Sequence, residues 1–151
     1  MDAKNLRLAS GSALSLVGVR VGGAASSLRA DELPGHRAVL GEKAPLRLDC
    51  GVDIGPFTVA YQTYGQLNAD KSNAILVFHA LTGDQFCAEH HPITGKSGWW
   101  SDIVSPQKII DTNRWFIICA NVLGGCMGTT GPSDIDPRTN KPFGLSFPVI
   151  T

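Results

Sequence analysis

Two short segments in which every residue is apolar constrain the fold most: Ala74-Ile75-Leu76-Val77-Phe78 and Trp115-Phe116-Ile117-Ile118-Cys119-Ala120. Runs of this length, bounded by turn residues, read as strands covered on both faces, as in the parallel sheets of α/β folds. Ahead of them, Leu46-Arg47-Leu48-Asp49-Cys50 alternates with period two and Gly55-Pro56 marks a turn. Phe57-Thr58-Val59-Ala60-Tyr61-Gln62-Thr63-Tyr64 follows, rich in β-branched and aromatic residues. The three predict an antiparallel hairpin leading into a mostly parallel sheet. Between the apolar segments lies an irregular stretch broken by Pro92, Gly95, Gly98 and Pro106, with a short helix expected near residues 107–111. After Asn121 the chain is rich in Gly, Thr and Pro through Pro148. The pattern is α/β. Residues 46–151 nevertheless hold no convincing amphipathic helix, so the sheet lacks its covering layers and the fold is expected to be incomplete.

Residues 1–45 contain no aromatic side chain, are rich in small residues and carry Leu33-Pro34-Gly35 as a breaker. They are expected to form a flexible leader, preferred here to a transit peptide, with 46–151 as the folded portion. Thirteen basic residues balance thirteen acidic ones, which argues against a nucleic-acid partner and its basic footprint. No apolar run approaches the roughly 18 residues that cross a bilayer, and no secretory signal is visible. The four cysteines, at 50, 87, 119 and 126, show no CxxC spacing and fit reduced thiols in a cytoplasmic protein.

Two segments after the apolar runs are placed for chemistry, since ligands of open α/β sheets gather at the carboxyl ends of strands. His79-Ala80-Leu81-Thr82-Gly83-Asp84 could aim backbone N–H groups into a pocket, with Gly83 allowing unusual dihedrals. Read locally, an ordinary strand-ending loop accounts for it as well. Leu123-Gly124-Gly125-Cys126-Met127-Gly128-Thr129-Thr130-Gly131-Pro132 permits close backbone approach. Cys126 has no base or positive group nearby and reads as structural.

Other patterns fail on spacing. Thr94-Gly95-Lys96-Ser97 mimics the end of a phosphate loop, but its first glycine position is His90. Gly144-Leu145-Ser146-Phe147-Pro148 mimics a nucleophile elbow, yet ends in proline and follows no strand. Cys87, His90, His91 and His79 lack the paired spacing of a zinc site. Trp99-Trp100 reads as packing, without the basic residues that nucleic-acid stacking requires.

From Leu46 onward the order of segments resembles the homoserine O-acyltransferases of the α/β-hydrolase superfamily. The matching stretches are Val59-Ala60-Tyr61-Gln62-Thr63-Tyr64-Gly65, His79 to Asp84, Gly98-Trp99-Trp100, Ile110-Asp111-Thr112, Asn121 to Cys126 with Gly131-Pro132, and Phe147 to Thr151. The resemblance implies the N-terminal part of an α/β-hydrolase fold. It also implies acyl transfer from acetyl-CoA or succinyl-CoA to the L-homoserine hydroxyl, in methionine biosynthesis, by a ping-pong reaction through an acyl-serine. No cofactor is implied beyond the acyl-CoA co-substrate, and no metal. Carried over by position, Leu81 supplies an oxyanion-hole backbone N–H, Thr82 lies beside the substrate, and Gly83 and Asp84 shape the loop. In that family the nucleophilic serine, and then its Asp and His, come after the segment matched here. The 151 residues are therefore expected to be inactive alone, and the full-length protein to be a homodimer. A transferase with another acceptor such as serine, and a non-catalytic interaction module, are the alternatives.

Overall fold

The computed structural model describes residues 33–150. Its strands are β1 (His36–Leu40), β2 (Leu46–Arg47), β3 (Asp53–Ile54), β4 (Phe57–Tyr64), β5 (Ala74–Phe78), β6 (Val104–Ser105), β7 (Ile110–Asp111), β8 (Phe116–Ala120), β9 (Ile135–Asp136) and β10 (Lys141–Pro142). One 3-10 turn, Gly144–Ser146, is the only helical element among the described residues. None of them forms a helix long and apolar enough to cross a membrane.

The main sheet has the order β1-β4-β8-β5. The two apolar runs pair in parallel, with Ala74 opposite Phe116 and Phe78 opposite Ala120. Strand β4 lies antiparallel to β8, Tyr61 facing Ala120. A parallel pair needs a long crossover; residues 79–115 provide it and double as the cover of one sheet face. On that face Tyr64, Val77, Ile117 and Cys119 pack with Cys87, Ala88 and Val104 from the crossover. Each fully buried side chain the size of Ile117 contributes roughly 1.5–3 kcal/mol. The opposite face carries Ala38, Val59, Tyr61, Phe116 and Ile118 and opens into a cleft of about 490 Å³. The described residues cover the sheet on one side only.

Three expectations need correction. The antiparallel partner of β4 is β1, His36 facing Tyr61, and not the segment 46–50, of which only Leu46 and Arg47 pair, with β3. The folded portion thus reaches back past residue 46, and His36–Leu40, assigned to the leader, is the sheet's edge. An edge strand half open to water needs no strong hydrophobic pattern, so its mixed sequence hid it. The rest of the proposed leader, residues 1–32, lies outside the described residues. Second, among the described residues β5 ends the sheet, with Leu76 54% and Phe78 73% exposed. Third, residues 107–111 form no helix. Gln107 sits at φ 63°, and the Asp111 carboxylate accepts the Gln107 and Asn113 N–H groups, closing a loop before β7 pairs with β6. Those two backbone bonds hold the Asp111 carboxyl below its ordinary range.

Candidate functional site

Because β5 and β8 run parallel, their carboxyl ends share one edge, and His79 and Asn121 follow directly after them. Both are buried. His79 Nδ1 lies 2.7 Å from the Ala80 carbonyl oxygen. Its Nε2 lies 3.2 Å from Asn121 Nδ2 and 3.2 Å from the Val122 backbone nitrogen. A carbonyl only accepts and a backbone N–H only donates, so Nδ1 carries the proton and Nε2 accepts. One neutral tautomer satisfies every contact.

The loop after His79 is tightly closed. Ala80 O also accepts the Gly83 N–H at 2.8 Å. A Cβ on Gly83 would stand 3.0 Å from His79 Cβ and 3.3 Å from Ala80 O. Gly83 does not have a positive φ; the loop needs its missing side chain for room and not for dihedral freedom. Asp84 fixes the far end. Its Oδ1 accepts the Phe86 N–H at 2.8 Å, and its Oδ2 meets His91 Nε2 at 3.0 Å. Trp99 Nε1 donates to its carbonyl at 3.0 Å.

At the crest Leu81 is 95% exposed. Its N–H makes no hydrogen bond among the described residues. Thr82 is exposed beside it. Thr82, Gly83, Asp84, His91, Lys96 and Trp99 line a pocket of about 210 Å³.

No protein-family model matches the chain. The homoserine O-acetyltransferase of Rhodopseudomonas palustris (strain BisB18) is 63% identical over 122 residues, covering 81% of this chain and 30% of that protein. That of Rhodospirillum rubrum is 65% identical over 108 residues, covering 72% and 28%. This segment belongs to the homoserine O-acetyltransferase family. It spans about 30% of the length of the relatives it matches. Among solved structures, the homoserine O-acetyltransferase from Bacillus anthracis aligns with a TM-score of 0.68 at 33% identity, over 77% of this chain and 32% of that one. Esterase E22 aligns equally well, with a TM-score of 0.68 at 32% identity, over 77% and 33%. The fold is that of the α/β-hydrolases, here in part.

Against that family background the glycine-rich loop after β8 is a brace. Asn121 N donates to Ala60 O at 2.8 Å, and its Oδ1 accepts the Met127 N–H at 3.4 Å. Thr129, buried, donates its hydroxyl to Asn121 O and accepts the Ala60 N–H, both at 2.9 Å. Thr130 Oγ1 accepts the Thr58 N–H at 2.9 Å. The loop is thereby sewn to β4. Sequence reasoning assigned no role to Thr129 or Asn121, whose partners lie far off in the chain.

The other sequence patterns find structural places. Residues 94–97 sit in a hairpin closed by the His91 N–H to Lys96 O bond, with no helix behind it. Ser146 lies in the 3-10 turn and donates to Phe143 O. Cys126 and Cys50 are exposed; Cys87 and Cys119 are in the core, and no disulfide joins the four. The bond to Cys87 and burial push the Cys119 thiol upward, leaving it a packing group. No group of three His, Cys, Asp or Glu among the described residues is placed to hold a metal ion. None of their serines or cysteines is hydrogen-bonded to a histidine.

Proposed function

We propose that this segment supplies half of the oxyanion hole for acyl transfer from acetyl-CoA to the hydroxyl of L-homoserine, in a longer polypeptide. The observation that carries the reading is the unpaired Leu81 N–H, at the carboxyl end of β5 on a loop closed by the Gly83 N–H to Ala80 O bond. An acyl-transfer intermediate places negative charge on a former carbonyl oxygen. A fixed N–H aimed at that oxygen stabilises it more than the neutral ground state, and one such donor is worth roughly 10²–10³ in rate. Thr82 and Gly83 border the substrate in this reading. The names of the relatives favour acetyl over succinyl as the donated group.

The reaction also needs a nucleophile activated by a base. His79 is no candidate, since both ring nitrogens are engaged, and Ser146 and Cys126 have no histidine beside them. The acyl-serine route therefore draws its serine, acid and base from outside these residues, and the 151-residue chain alone transfers nothing. Methionine biosynthesis, a cytoplasmic setting and a dimeric assembly belong to the same proposal.

The equal likeness to an esterase favours one second reading, in which water replaces homoserine as acceptor. One assay separates the two. A full-length chimera, with this segment replacing its counterpart in the Rhodospirillum rubrum enzyme, is expected to release free CoA from acetyl-CoA beyond the first turnover, which forms the acyl-enzyme, only when homoserine is present. Continued turnover without homoserine would support hydrolysis. Homoserine-dependent release by the 151-residue chain by itself would sink the claim that it is inactive.

A further inference from the structure

We propose that His79 is a positioning residue which, as a neutral Nδ1–H imidazole braced by Asn121 and Val122, sets the direction of the Leu81 N–H. The proposal rests on the oxyanion reading of Leu81. Its core is the geometry of one peptide unit. The carbonyl of Ala80 and the N–H of Leu81 belong to the same planar trans peptide, so they point in opposite directions. Whatever fixes Ala80 O fixes the Leu81 N–H. Two donors hold that oxygen: His79 Nδ1 at 2.7 Å and the Gly83 N–H at 2.8 Å. Turning the peptide plane to aim the N–H elsewhere would break both.

The ring can hold the carbonyl only while it is itself held. Its second nitrogen accepts from Val122 N and faces Asn121 Nδ2, each at 3.2 Å. Asn121 is buried and fixed in turn by Ala60, Met127 and Thr129. The start of the glycine-rich loop, with Asn121 before it, thus presents two donors to one imidazole nitrogen and forces the proton onto the other. A tautomer with the proton on Nε2 would set donor against donor there and leave Ala80 O without its shorter bond. His79 gives no proton to the reaction in this scheme.

The test uses the full-length chimera. In the unsubstituted protein, ring 15N signals are expected to show His79 as a single Nδ1–H tautomer; an Nε2–H or exchanging ring would overturn the proposal, whatever the activity. His79→Ala and Asn121→Leu are each expected to lower kcat by about 10–100-fold, approaching the loss of one oxyanion donor, with KM for acetyl-CoA and homoserine changed less than about threefold. Retention of kcat within about threefold in a folded His79→Ala protein would also overturn it. If the unsubstituted chimera is folded but shows no homoserine-dependent turnover, the functional reading fails, and the ring signals alone decide whether His79 holds this seat.

Discussion

At residue 125 the absence of a side chain decides whether the brace can close. A Cβ there would collide with Asn121 Oδ1 and stand 2.8 Å from Val122 O, and the second of these is backbone that cannot swing aside. Gly125→Ala is therefore expected to destabilise the full-length chimera by about 1–3 kcal/mol, the usual cost of overpacking, read as a lower urea midpoint at unchanged m-value. The damage should spread to His79, whose Nε2 loses its ordered partner, so the substitution should lower kcat as well. An unchanged midpoint would mean that the loop has room the structure does not show. Legibility at this scale follows sequence distance. The segment 79–84 could be singled out because it directly follows an apolar strand, and Leu81 within it through the family resemblance. Thr129 could not, because the Ala60 N–H it accepts lies 69 residues away and no local pattern records such a pairing.

Among the elements, the long apolar runs were readable and the two-residue ladders were not. Strands β5 and β8 announce themselves because apolar residues stand at every position, and their parallel pairing matched that reading. Hairpin β9–β10 has no such signature; polar chemistry holds it instead. Asp136, buried, takes Arg138 Nε and Nη2 at 3.0 Å each and the Arg138 N–H at 2.9 Å. Its carbonyl accepts from Thr139 and Asn140. The Arg138 side chain holds the Asp136 carboxyl below the usual carboxylate range. A carboxyl with a depressed folded value stabilises the fold above its unfolded value, near about 3.9 for Asp, and the gain disappears as pH falls through the folded value. The hairpin is expected to be insensitive to pH from about 5 to 8 and to loosen below about 4. The readout is faster exchange of the Asn140 amide, corrected for its intrinsic pH dependence. Asp136→Asn should loosen it at neutral pH and flatten the acid response; an acid response unaltered by that substitution would place its origin elsewhere.

For the molecule as a whole, the mismatch between an apolar sequence and a half-covered sheet is the governing fact. The apolar runs were read as strands buried on both faces, yet the described residues cover only one, and β5 presents an unpaired edge with Leu76 and Phe78 largely exposed. Exposed edges beside apolar surface invite pairing between chains. The uncovered side joins that edge to the cleft lined by Val59, Tyr61, Phe116 and Ile118, an apolar patch of the kind that marks an interaction surface or an aggregation hazard. The 151-residue chain alone is therefore expected to self-associate and to bind the apolar dye ANS, by light scattering and fluorescence at micromolar concentration. Leu76→Lys with Phe78→Lys should reduce both signals, because charge on an edge strand blocks pairing and neither residue belongs to the buried cluster of Tyr64, Val77, Ile117 and Cys119. In the full-length chimera the same pair should instead destabilise, if the remaining two-thirds of the polypeptide packs on this face. A monomeric 151-residue chain that unfolds cooperatively would overturn this account and favour the interaction-module alternative, in which the open face is tolerated and awaits another subunit.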